Sequence, residues 1–145
     1  MLKKGSTVLS IWCCINFVLA FIILGYVIVL KKDSPILQVA SFSETEIASL
    51  SARTIAALNA FTILYNSCSL VISVLTWPLI RKNLPAGQKS AFWMLVFVIG
   101  FIEVMAFLAS SYIGHGRWQV NVVQSMLYVV GIGLSGWSLF KGDKA

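Results

Sequence analysis

Charged side chains are scarce in this sequence. Lys, Arg, Asp and Glu make up 11% of its 145 residues, eleven basic and five acidic. A water-facing globular surface draws on about 25% charged residues, so the composition excludes a soluble domain. The hydrophobic share of 59% also excludes a disordered chain, which combines low hydrophobicity with high charge. The three cysteines, Cys13, Cys14 and Cys68, contain no C-x-x-C pair and avoid the loops, which argues against a disulfide framework and a membrane thiol oxidoreductase. The one histidine, His115, belongs to no cluster of His, Cys and carboxylate at metal-ligand spacing. No metal or other cofactor is expected. No basic run exceeds two residues, which argues against a nucleic-acid partner, since such partners select clustered Lys and Arg.

What is present is length without charge. A membrane-crossing helix needs about 20 apolar residues, because about 30 Å of hydrocarbon is crossed at about 1.5 Å per residue. Four segments qualify: about Thr7–Leu30, Leu58–Ile80, Ala91–Ile113 and Val120–Phe140. Helices are expected because a helix satisfies its own backbone in lipid, and the short alternating segments of an outer-membrane barrel are missing. The first segment follows Lys3 and Lys4 as a signal peptide would, but it outruns the 7–15 residues of a signal core and is read as a retained span. The expected fold is an all-α bundle of four membrane helices forming one domain, residues 1–145.

The remaining charges set orientation. With four spans, the side of both termini carries Lys3, Lys4, Arg81, Lys82, Lys89, Lys141 and Lys144, and the other side carries Lys31, Lys32, Arg53 and Arg117. Excess Lys and Arg mark the cytoplasmic side. Both termini are therefore expected in the cytoplasm, with the protein multi-pass in a plasma membrane, most simply a bacterial inner membrane. Trp12, Trp77, Trp93, Trp118 and Trp137 all fall near proposed span ends, where amphipathic rings prefer to sit.

Ser34-Pro35 breaks the first helix, since proline disfavours the α conformation in its predecessor. Ser43-Glu44-Thr45-Glu46 then matches a capping box. It predicts a short helix from Glu44 that leads into span two. Pro78 is expected to end or kink that span.

Polar residues inside the spans are the candidate site. In span two, Asn59, Thr62, Asn66, Ser69, Ser73 and Thr76 step by three or four residues, and in span four Asn121, Gln124, Tyr128, Gly131, Ser135 and Ser138 do the same. At about 100° per residue each set forms one narrow stripe. Such stripes serve helix packing through small residues and cross-helix bonds, or they line a path for a ligand. Glu103 is the one ionisable side chain within a span, about twelve residues from the terminus side of span three. An acid there is costly and commonly marks a function. It can carry a proton, bind a cation, accept bonds from a ligand, or serve as a structural hydrogen bonder. Asn66, Tyr128 and Asn16 are its candidate neighbours by depth, with Gln124, Asn59 and Asn121 further along the stripes. His115 and Arg117, in the turn before span four, are candidates at the mouth of the bundle. Gly131-Ile-Gly133-Leu-Ser-Gly136 matches a dinucleotide fingerprint as a string only. It follows no strand and reads as a packing surface.

The four-span layout invites comparison with small multidrug exporters, whose essential carboxylate lies in span one. Here span one has Asn16 and the acid lies in span three. DoxX-like proteins share the layout, yet no motif in this chain secures either match. Three functions stay open. One is a structural or accessory membrane protein, as a homodimer or a subunit of a larger membrane complex in the lipid bilayer. Another is proton-coupled binding or transport of a small lipophilic or cationic molecule through Glu103. The third is a membrane enzyme acting on a lipophilic substrate.

Overall fold

A computed structural model describes residues 2–39, 43–113 and 118–141. The helices are α1 (Leu2–Leu24), α2 (Ile36–Val39), α3 (Glu44–Ser49), α4 (Ala52–Pro78), α5 (Lys89–Ile113) and α6 (Trp118–Lys141). There is no strand among the described residues. Four stretches are long and apolar enough to cross a membrane: Leu2–Val29, Ala52–Asn83, Lys89–Ala109 and Asn121–Lys141. They coincide with the four segments expected from hydropathy.

The distribution of side chains is that of a bundle made for lipid. Polar residues are buried, among them Ser6, Asn66, Ser69, Ser73, Glu103 and Ser135, while Phe61, Phe97 and Val29 are at least 70% exposed. In water this arrangement would leave apolar area uncovered along every long helix. In lipid it lets the polar groups pair and the apolar ones face the acyl chains.

Helix α1 is the hub. It packs against both α4 and α6, and α5 packs against α6. Successive contacts fix an antiparallel register between α1 and α4. Ser6 Oγ donates to the Ile80 carbonyl at 2.6 Å, Cys13 Sγ to the Ser73 carbonyl at 3.2 Å, and Asn16 Nδ2 to Ser73 Oγ at 2.9 Å. Between α1 and α6 the backbones meet at glycines. A Cβ on Gly5 would lie 2.8 Å from the Gly131 carbonyl oxygen, and one on Gly131 would strike Leu9. A core of Leu9, Trp12, Ile80, Leu95 and Ile99 fills the half of the bundle nearest the start of α1. The start of α1, the end of α4, the start of α5 and the end of α6 share one end of the bundle, as the Ser6–Ile80, Gly5–Ser135 and Lys89–Phe140 contacts require.

Three local expectations meet a more detailed structure. The capping box forms in full, with Ser43 N–H donating to Glu46 Oε2 at 2.8 Å and Glu46 N–H to Ser43 Oγ at 3.3 Å. The Ser43 N–H, together with the Ser43 hydroxyl that donates to Glu46 Oε2 at 2.7 Å, holds the Glu46 carboxyl below its ordinary range. The helix it opens does not run on into span two. It stops at Ser49, Leu50 is extended, and Ser51 caps α4 through Thr54 N–H. α4 ends at Pro78, as expected, but the helical path does not stop there. The chain continues through a π-type turn, Leu79–Asn83, closed by Leu84 N–H on the Leu79 carbonyl at 2.8 Å. Wider i→i+5 turns of this kind interrupt α-helices singly, and here one follows a residue that has no N–H to offer. A second such turn, Gly25–Val29, ends α1.

Candidate functional site

Glu103 sits on the face of α5 that turns toward α1 and α6, and it is 7% exposed. Its two carboxyl oxygens have different partners. Trp12 of α1 donates its indole N–H to Oε1 at 2.7 Å, and Ser125 of α6 donates its hydroxyl to Oε2 at 2.5 Å. The acid therefore ties three helices together. Each bond spares a buried acceptor, and a buried or half-buried donor, from going unpaired in a low-dielectric setting.

Trp12 is 1% exposed and belongs to the core. The expectation that it anchors at an interface is corrected: its N–H finds a carboxyl oxygen inside the bundle, so the ring can be buried whole. Trp77, Trp93 and Trp137 do lie exposed, at 41%, 53% and 60%. Arg81 sits over the Trp77 ring and Lys141 over the Trp137 ring, at 5.8 and 4.7 Å from the centroids.

The hydrogen bonds seen for the remaining candidates go to other partners. Tyr128 donates to the Val96 carbonyl at 2.9 Å. Its hydroxyl crosses α5 at Gly100, where a Cβ would lie 2.6 Å from it. Asn66 is buried and donates to the Thr62 carbonyl of its own helix at 2.8 Å. Asn16 bonds to Ser73 and to the Ser69 carbonyl of α4. Asn59 accepts from Ser34 N–H at 2.7 Å, and Thr62 shares a hydrogen bond with Ser34 Oγ. Together Asn59 and Thr62 pin the segment after α1 onto α4. Asn121 donates to the Ala106 carbonyl at 3.4 Å, a further tie between α5 and α6. Gln124 is half-buried, and its side chain makes no hydrogen bond among the described residues. His115 and Arg117 lie outside the described residues.

The α4 stripe thus faces inward: the buried residues of α4 are Asn66, Ser69, Ser73 and Thr76. In α6, Gly131 and Ser135 are buried in the same way. Where partners are seen, they are mostly helix backbones and side chains of the neighbouring span. The two partners of Glu103, Trp12 and Ser125, stand outside both stripes. Ser125 lies four residues after Asn121 and three before Tyr128, so it fits the same spacing as its neighbour Gln124, and spacing alone does not choose between them.

The fold and this network define a multi-pass helical membrane protein with one buried acid shared among three helices. Comparison with protein-family models, with curated proteins and with solved structures found no match.

Proposed function

We propose that the chain is a small structural or accessory protein of the plasma membrane, a helical subunit that acts by associating with other membrane components or with a second copy of itself. The observation that supports this reading best is the pairing of Glu103. A carrier needs its acid to face a path that opens to one side, and an enzyme needs it to face a substrate. Here both oxygens are engaged by side chains of neighbouring helices, and the carboxyl serves as a junction. The seven-to-four imbalance of Lys and Arg supports termini in the cytoplasm.

The test reconstitutes the full chain and its Glu103→Gln variant in liposomes. A pH gradient is imposed and proton flux is followed with a pH-sensitive dye, with and without tetraphenylphosphonium as a lipophilic cation. Equal, background-level flux from both proteins is expected, together with chemical cross-links to a copy or a neighbour in native membranes. Proton-linked flux that disappears in Glu103→Gln would overturn this reading in favour of proton-coupled transport.

A further inference from the structure

Between them, α1 and α4 leave a groove of about 340 Å³ on the outer surface of the bundle. Cys14, Phe17 and Val18 of α1 form one wall, and Val74 and Trp77 of α4 form the other. The polar groups on its floor are already engaged: Cys13 Sγ donates to the Ser73 carbonyl, and Ser73 Oγ donates to the Ser69 carbonyl. The groove therefore offers a guest apolar surface.

Its end nearest the start of α1 is basic. The Arg81 guanidinium lies over the Trp77 ring, 5.8 Å from the centroid. Lys3 is eleven residues before Cys14 on the same helix, three turns away and thus on the same face. The Ser6–Ile80 hydrogen bond of 2.6 Å brings these two stretches of chain together. None of the described acids neutralises this end, since Asp33, Glu44 and Glu46 belong to the opposite end of the bundle and Glu103 is paired inside it.

The dimensions fit one kind of occupant. From Arg81 back to Ser73 is eight residues, about 12 Å along a helix, within the roughly 15 Å that one leaflet contributes to the hydrocarbon core. A cation at the membrane surface, an aromatic ring below it and an apolar slot running toward the midplane match a phosphate and the acyl chain beneath it. We propose that this groove is a binding site for an anionic phospholipid, with the headgroup phosphate on Arg81 and Lys3 and one acyl chain between α1 and α4. The site is independent of the role of Glu103.

The test is native mass spectrometry of the detergent-purified full chain, titrated with dioleoyl phosphatidylglycerol or dioleoyl phosphatidylcholine. One phosphatidylglycerol per chain is expected to be retained in preference to phosphatidylcholine. Arg81→Gln and Lys3→Gln should each lower phosphatidylglycerol binding about fivefold, the effect of removing one basic residue near an anionic lipid surface. Val74→Trp, which fills the slot, should weaken both lipids. Lys32→Gln, at the opposite end, should change neither. Inorganic phosphate should not displace the lipid. All these positions are exposed, and an unchanged thermal unfolding midpoint checks that each variant is folded. Equal binding of the two lipids, an effect of Lys32→Gln as large as that of Arg81→Gln, or displacement by inorganic phosphate would each overturn the proposal.

Discussion

The indole N–H of Trp12 points at Glu103 Oε1 across 2.7 Å, joining residues 91 positions apart in the chain. The bond spans α1 and α5, two long helices with little direct backbone contact. Any change to either residue is therefore read out as a change in how the bundle closes.

Replacement of Glu103 separates a lost carboxyl from a lost junction. Glu103→Gln keeps one acceptor oxygen and should cost about 0.6 kcal/mol, the average for a cross-helix hydrogen bond in a membrane. Glu103→Leu leaves both the Trp12 N–H and the Ser125 hydroxyl without an acceptor and should cost about 1–3 kcal/mol. Reversible unfolding in mixed detergent micelles measures both. A Gln variant as damaged as the Leu variant would mean that both carboxyl oxygens are needed.

Trp12→Phe removes the N–H and keeps most of the ring. A double-mutant cycle with Glu103→Gln should give a coupling of about 0.5–1.7 kcal/mol, the span expected for direct partners in a bundle. Additivity of the two changes would show that the bond contributes nothing to stability.

Glycines differ according to what faces them. At Gly5 a Cβ would lie 2.8 Å from the Gly131 carbonyl oxygen and 2.9 Å from the Ser135 nitrogen, and it would also overlap Ser135 Oγ. Gly5→Ala must push α1 and α6 apart and should cost about 1–3 kcal/mol. At Gly133 nothing lies within 4 Å, so Gly133→Ala should stabilise α6 by up to about 1 kcal/mol through helix propensity. The ranking of the two unfolding midpoints is the measurement.

Acid should loosen α3 before it affects the spans. Bonds from Ser43 hold the Glu46 carboxyl below its ordinary range. Its contribution to the cap is complete above the ordinary carboxylate value and is lost as the pH falls through the depressed one. Amide exchange at Ser43–Ile47 should therefore accelerate at low pH, while Glu46→Gln should exchange faster at neutral pH and respond less to acid. Equal acid responses from the two proteins would remove Glu46 from the cap.

The spans, the inward stripe of α4 and the capping box were legible because each depends on local spacing. Asn66, Ser69, Ser73 and Thr76 fall on one face by arithmetic alone. The partners of Glu103 were not legible, because they depend on how three helices slide past one another. Counting equal depth from span ends places Tyr128 level with Glu103. In the bundle Ser125 takes that level, because Tyr128 crosses α5 at Gly100 and bonds to Val96. That is a shift of one helical turn, the precision with which hydropathy marks where a span begins. Trp12 was hidden for a related reason: nearness to a span end suggests an interfacial ring, and only the carboxyl across the bundle accounts for its burial. The stop at Ser49 and the fresh start at Ala52 turn on the backbone of Leu50, which a short apolar and polar pattern does not specify.

The most extensive helix contact in the molecule joins α1 to α6, the first long helix to the last. During synthesis α1 enters the bilayer with one flank unmatched, and it keeps that flank while α4 and α5 follow. Gly5 and Leu9 meet Gly131 and Ser135 only when α6 arrives. Biogenesis therefore has a late closing step, in which an early helix waits in lipid for a helix made more than a hundred residues afterwards.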